Sequence, residues 1–259
     1  MRIGIFAPVV FMSFLIISSC TKDESVSRMP VTADSELALE LYETGMLAFD
    51  QVKMEPAFQN LEMAVKEDPD FFMAYFWIYF MSGKSTVEVA EKAFQSESDL
   101  NDGEIEIKRA FKYMLDGQEG EAVSHLKRAV DLYPMDPHIH KILYIFQFQY
   151  MKDVEGAVVS MNRAIEALPE YALTYNQLGY ALMNLGKYDQ AEEAFDTYIR
   201  LSPDIANPYD SKGDFYMSTG RYEDAYDSYM KAYELDSGFR ISEKKAQKAM
   251  YLLENSETP

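Results

Sequence analysis

The sequence predicts an all-α solenoid of helical hairpins, and three observations carry that prediction. Segment 172–205 matches segment 206–239 at an offset of 34 residues, the length of a two-helix unit. Glycine and proline recur at fixed places within that period, where a hairpin must turn and a helix must end. The composition, 48% hydrophobic and 26% charged over 259 residues, is rich enough for a sizeable core and far from that of a disordered chain.

At this offset Tyr175 falls on Tyr209, Gly179 on Gly213, Gly186 on Gly220, Tyr188 on Tyr222, Ala191 on Ala225 and Phe195 on Tyr229. Gly179 and Ala191 are small where the two helices of a hairpin cross and their backbones approach. Gly186 ends the first helix with φ > 0, and Tyr188 packs back over the turn. Pro203 lies past the second helix, where one hairpin ends and the next begins.

The same frame extends towards the N-terminus. Gly45, Ala57, Leu61, Ala64 and Pro69 mark a hairpin at about 38–71. Gly117, Ala122, Leu126, Ala129 and Pro134 mark one at about 103–136, and Ala157, Met161, Ala164 and Pro169 one at about 138–171. Between them 72–102 is degenerate, with Tyr79 at a small-residue position and no closing proline. Its second helix is expected at about Thr86–Ser96, around Ala90, Ala93 and Phe94. About six hairpins result, with the last two at 172–205 and 206–239, and 241–255 closes them as a solvating helix that caps the exposed end of the core. The solenoid domain thus spans 37–255.

Tyr175, Leu178, Gly179, Ala191, Phe195 and Pro203 together resemble the tetratricopeptide repeat, TPR. The resemblance implies a right-handed superhelix whose first helices line a concave groove, and a protein that binds other proteins or peptides. Tyr175-Asn176-Gln177-Leu178-Gly179-Tyr180 and Asn207-Pro208-Tyr209-Asp210-Ser211 look like a variant recurring among bacterial proteins of this kind. That variant sharpens the family and carries no assigned chemistry.

The first nineteen residues have another design. Arg2 precedes a nearly unbroken apolar run from Ile3 to Ile17, closed by Ser18 and Ser19. This is the layout of a secretory signal peptide, too short and too interrupted by Pro8 for a spanning helix. Ile17-Ser18-Ser19-Cys20 looks like the lipobox of bacterial lipoproteins, which implies cleavage before Cys20 and lipid on its thiol. No other cofactor is expected. Cys20 is the single cysteine, so an intramolecular disulfide is excluded. Lys22, Asp23 and Glu24 resemble the surface-export signal of Bacteroidetes lipoproteins, the alternative being an ordinary solvated tether. Residues 20–36 are expected to form a lipidated, flexible linker, with residues 21–34 reaching roughly 20 Å.

A formal net charge of −19 argues against a nucleic-acid partner. Catalytic and metal-binding constellations are scarce. His138 and His140 flank Ile139 at a helix start without the third and fourth ligands a zinc site needs, and His125 stands apart. His138 and His140 are expected to be solvated helix-start residues. Pairs such as Glu192-Glu193 and Glu223-Asp224 fit a solvated helix face, and no GxSxG, GxxxxGK or HExxH occurs. A scaffold is expected, not an enzyme.

The frame assigns the concave face. Tyr42, Met46, Phe49, Met73, Phe76, Phe80, Ile107, Phe111, Met114, Ile142, Phe146 and Tyr150 make it apolar over four hairpins. Asn176, Tyr180, Met183, Asn184, Asn207, Asp210, Asp214 and Met217 then make it polar and acidic. Two readings of the apolar stripe stay open. It is a groove for an amphipathic helix or extended peptide, or its members stack on each other or on the linker as core. The leading expectation is a protein-binding scaffold held at the outer membrane by its lipid, on the cell surface or, as an adaptor for envelope assembly, on the periplasmic face. A glycan- or nutrient-binding accessory of an uptake system is the alternative, and a small-molecule ligand is not expected.

Overall fold

The computed structural model describes residues 28–81 and 87–256; Cys20, Lys22, Asp23 and Glu24 lie outside them. Among the described residues there are thirteen α-helices and no strand, arranged as the expected solenoid of hairpins. Hairpin 1 pairs α1 (Glu36–Asp50) with α2 (Met54–Glu67), and hairpin 2 pairs α3 (Phe72–Met81) with α4 (Val87–Gln95). Hairpin 3 is α5 (Asp102–Leu115) and α6 (Glu119–Leu132). Hairpin 4 is α7 (Pro137–Ile145), continued by a π turn over Phe146–Tyr150, and α8 (Val154–Ala167). Hairpins 5 and 6 are α9 (Ala172–Asn184) with α10 (Tyr188–Leu201) and α11 (Ala206–Ser218) with α12 (Tyr222–Leu235), and α13 (Arg240–Ser256) closes the stack.

Local chemistry sets several helix starts. Asn101 and Glu104 form a reciprocal capping box at α5. Asp136 accepts from the His138 and Ile139 amides at α7, with Pro137 in the first helical position where a missing N–H costs nothing. The turns of hairpins 1, 3, 4, 5 and 6 share one device: two residues before the second helix the backbone is left-handed. Gly117, Gly186 and Gly220 fill that place in hairpins 3, 5 and 6, at φ of 70°, 71° and 76°. In hairpins 1 and 4 it is held by Val52 at 59° and Lys152 at 58°, where a side chain costs about 1–2 kcal/mol. Helix crossing accounts for other small residues. A Cβ at Gly213 would lie 2.5 Å from Tyr229 Cε1, and one at Gly179 would lie 2.8 Å from the Phe195 ring.

The core has a large N-terminal part, a smaller second one, and a third around Ala225, Tyr229, Ala246 and Ala249 where α12 meets α13. In α3 every residue from Phe72 to Ile78 is buried, as expected of a helix apolar all round. Phe76 sits at its centre, with ring centroids 5.6 Å from Trp77, 4.7 Å from Phe80 and 5.4 Å from Phe111. The degenerate hairpin is therefore the rod around which hairpins 1, 3 and 4 pack. The second core centres on Phe195, 5.2 Å from Tyr180 and 5.9 Å from Phe215.

The tether expected up to residue 36 is corrected in its described part. Residues 28–34 are not a free linker: they run extended along the body, with Met29 buried. Ser35 then caps α1 through the Ala38 amide. The segment reads as polar because its attachments are made by the backbone, which sequence composition does not register.

Candidate functional site

Most of the apolar stripe of hairpins 1–4 is core, and what space remains beside Tyr42, Met46, Met73 and Ile142 is a cavity of about 610 Å³ crossed by residues 28–31. Tyr42, Met46, Phe76, Phe111 and Phe146 are 0–4% exposed, and Met73, Ile107 and Ile142 are buried with them. Phe49, Phe80 and Met114 are half-buried against the same cluster, and Tyr150 alone reaches solvent at 44%. The stripe closes because the C-terminal end of α1 meets hairpins 4 and 5. The Asp50 carboxylate accepts from His138 Nε2 at 3.2 Å and from the Tyr171 hydroxyl at 2.7 Å. The Lys141 ammonium lies 3.5 Å from the Phe49 ring centroid.

These contacts carry their own electrostatics. Burial opposes the charge on Asp50, yet the bond and charge of His138, with Lys141 and Tyr171, hold its pKa below the usual carboxylate value. Burial pushes the Lys141 ammonium down to about 8, with Asp50 acting in the opposite sense.

The histidines differ from expectation as well. His125 is buried, 2.6 Å from Glu106 and stacked on Tyr113. His138 bridges to Asp50, and His140 is 2% exposed with Nε2 donating to the Pro134 carbonyl at 2.8 Å. Neither His138 nor His140 is a solvated helix-start residue, because the N-terminus of α7 packs into the body.

The acidic end of the face is corrected too. Asp210 and Asp214 do not face an open groove, since α13 covers them. Lys245 reaches both, at 2.7 and 2.8 Å, and Ser242 Oγ donates to Asp210 at 2.6 Å. Tyr180 and Tyr229 each donate to Asp214 at 2.8 Å. The capping helix thus takes the place of a following first helix and neutralises the end of the stack.

Between these closed regions lies a cleft of about 540 Å³. The first helices of hairpins 4, 5 and 6 form it. Tyr144, Phe148 and Gln149 come from hairpin 4, Asn176, Gln177, Tyr180, Met183 and Asn184 from α9, and Tyr188 and Ser218 from either side. None of these ten is charged, in a chain of net charge −19. Tyr144 and Phe148 stack at 5.2 Å to form one wall. Asn207 accepts from the Tyr198 hydroxyl at 2.9 Å and from Asn176 Nδ2 at 3.5 Å. That fixes the Asn176 amide so that its Oδ1 is buried without a partner.

Four of the expected groove residues therefore line the cleft: Asn176, Tyr180, Met183 and Asn184. The hairpin-4 wall was missed for a geometric reason. The expected frame follows Ile142, Phe146 and Tyr150, which do share one side, with the Phe146 ring 5.6 Å from Tyr150 and the Phe80 ring 6.4 Å from it. Tyr144 and Phe148 stand two residues along from Ile142 and Phe146, on another face of the same helix. Tyr144 and Phe148 take the cleft while Ile142 and Phe146 turn into the core.

The tetratricopeptide repeat family matches residues 172–205 and, in a second form, 206–239. Residues 172–239 are two tetratricopeptide repeats. They supply α9 and α11, two of the three first helices of the cleft. No curated protein sequence matches the chain. Among solved structures, TTC0263, a thermophilic TPR protein of Thermus thermophilus, is similar over 83% of this chain and 99% of its own, at 19% identity and a TM-score of 0.53. Cut9–Hcn1 of the APC/C is similar at 18% identity over 82% of this chain and 42% of its own, with a TM-score of 0.49. MamA is similar at 21% identity over 75% of this chain and 95% of its own, with a TM-score of 0.42. The first of these likenesses extends the shared fold beyond the two matched repeats.

Proposed function

We propose that this tetratricopeptide-repeat protein is a binding scaffold, not an enzyme, and that the cleft of hairpins 4–6 holds an extended, uncharged segment of a partner protein. The observation that carries the reading is the cleft itself, free of charged side chains, walled by aromatic rings and lined by the side-chain amides of Asn176, Gln177 and Asn184, each with an acceptor oxygen. Such an acceptor calls for an N–H, which an extended backbone offers and a helix has already used. Met183 and the Tyr144–Phe148 wall suit an apolar side chain beside it.

The scaffold is held at a bacterial outer membrane by lipid on Cys20, with Lys22-Asp23-Glu24 favouring the cell surface over the periplasmic face. The signal-peptide layout of residues 1–19 supports this reading. Several acyl chains at about 0.8 kcal/mol per buried methylene make such attachment effectively permanent.

Crosslinking capture from the native envelope tests the cleft. Asn184→Lys and Tyr188→Ala alter exposed lining residues and should abolish partner recovery while the thermal midpoint stays unchanged. Equal recovery by wild type and both variants would overturn the cleft, and clear hits on a glycan array would replace the protein partner with a saccharide. For the membrane, a Cys20→Ala chain should lose metabolic palmitate labelling, and protease treatment of intact cells should remove the wild-type protein only if it faces outward.

A further inference from the structure

The extended segment 28–34 is held by a receptor surface of its own. The Asp34 amide donates to Asp68 Oδ2 at 2.7 Å, beside hairpin 2. The Thr32 amide and hydroxyl donate to the two oxygens of Glu104 at 2.8 and 2.6 Å, on hairpin 3. The Pro30 carbonyl accepts from Asn101 Nδ2 at 2.8 Å, and the Met29 amide donates to Asp136 Oδ2 at 3.1 Å, at the start of hairpin 4. The segment crosses three successive inter-hairpin junctions, and each junction reads its main chain.

Two features show that the body is shaped for this contact. Glu104 is 0% exposed, and its buried charge is satisfied by Asn101 and by the N–H and O–H of Thr32. A buried carboxylate stripped of half its donors is costly, so the site is chemically incomplete when empty. Gly103 supplies the second feature. A Cβ there would lie 2.5 Å from Met29 Sδ and 2.6 Å from the Tyr133 ring, so the missing side chain forms the socket in which Met29 sits. Beneath the strap, between it and α1, α3 and α7, a cavity of about 610 Å³ remains open, so the strap is fastened at points and not buried along its length.

We infer that the junctions of hairpins 1–4 form a second peptide-binding surface, occupied in cis by residues 28–34. A partner enters it by displacing this strap. The occupant that fits is an extended protein segment with an unbranched apolar side chain for the Gly103 socket and a threonine three residues later for Glu104. The strap is then an internal competitor, setting a threshold for partners of the same chemistry.

The test uses the full chain and a fluorescein-labelled peptide of sequence Arg-Met-Pro-Val-Thr-Ala-Asp, the sequence of residues 28–34. Met29→Asp unseats the strap, and this variant should bind the peptide at least about tenfold more tightly than wild type. Adding Gly103→Val, which fills the socket from the body side, should return binding to the wild-type level or below. Equal binding by wild type and Met29→Asp, or binding indifferent to Gly103→Val, overturns the proposal. Hydrogen exchange on unaltered protein serves as an independent arm should Met29→Asp not fold. The amides of Met29, Thr32 and Asp34 should exchange together and well before those of α5, and exchange only at the rate of global unfolding overturns the idea of a displaceable strap.

Discussion

The two ends of this solenoid use the same hairpin for opposite purposes. In hairpins 1–4 the concave side is largely filled by rings on α3, α5 and α7 and by the return of α1 onto His138 and Tyr171, and the strap crosses the cavity that remains. In hairpins 5 and 6 the same positions carry amides and phenols, and between hairpins 4 and 6 a cleft stays open. A repeat alignment treats these positions as equivalent, whereas packing does not. What a first-helix residue does depends on whether the turns of the solenoid close on one another.

The sharpest way to break this comparison is a charge in each half. Phe111→Asp places a carboxylate at a site 0% exposed and ringed by Phe76, Phe80 and Phe94, and should cost about 5 kcal/mol. Asn184→Lys, on the cleft, should shift stability by less than about 0.5 kcal/mol. Denaturant titration of the two variants checks this, and similar losses in both would erase the distinction.

A smaller effect probes how the C-terminal half is sealed. Lys245→Ala leaves the buried Asp210 without its cation and should cost about 2 kcal/mol. Burial disfavours the Lys245 charge, but its bonds to Asp210 and Asp214 outweigh that and raise its pKa above 10.5. A raised lysine stabilises fully below its unfolded pKa, and the gain is lost only as pH climbs past the folded value. The difference between wild type and Lys245→Ala, followed by thermal melts, should therefore persist through neutral pH and shrink only under strong alkali.

Val52→Gly should raise stability by about 1 kcal/mol. Relief of the left-handed backbone outweighs the entropy that glycine adds to the unfolded chain, and the reverse change Gly186→Val should lower stability. The smallest effect is acid-dependent and belongs to the N-terminal half. Burial lowers the His140 pKa below 6.5, although its bond to Pro134 acts the other way. A depressed histidine contributes fully above its unfolded pKa, and the contribution falls as pH drops from 6.5 towards the folded value. The slope is no steeper than about 1.4 kcal/mol per pH unit and should flatten in His140→Gln.

Legibility followed the same division. Hairpins 5 and 6 could be read directly, because glycine marks both their turns and their helix crossings. Hairpins 1 and 4 could be framed, but Val52 and Lys152 hide the turn positions behind residues that rarely adopt φ > 0. The first helix of hairpin 4 is apolar on two faces, and a list of apolar residues does not say that Ile142 and Phe146 turn into the core while Tyr144 and Phe148 face the cleft. The strap was invisible because most of its bonds come from the backbone, and its two telling side chains, Met29 and Thr32, gain meaning only from Gly103 and the buried Glu104 far along the chain. The choice between core and groove for the aromatic stripe depended on the long-range meeting of Asp50 with His138, which no local pattern encodes.

Hydroxyl-radical footprinting of the folded chain, read by mass spectrometry at each aromatic and methionine side chain, tests the central claim most directly. Tyr188 and Met183 should oxidise readily in the open cleft, while Phe76, Phe111 and Phe146 stay protected until the protein unfolds. Oxidation of Phe76, Phe111 and Phe146 at rates matching Tyr188 would mean that the N-terminal groove is open after all, and would contradict this account.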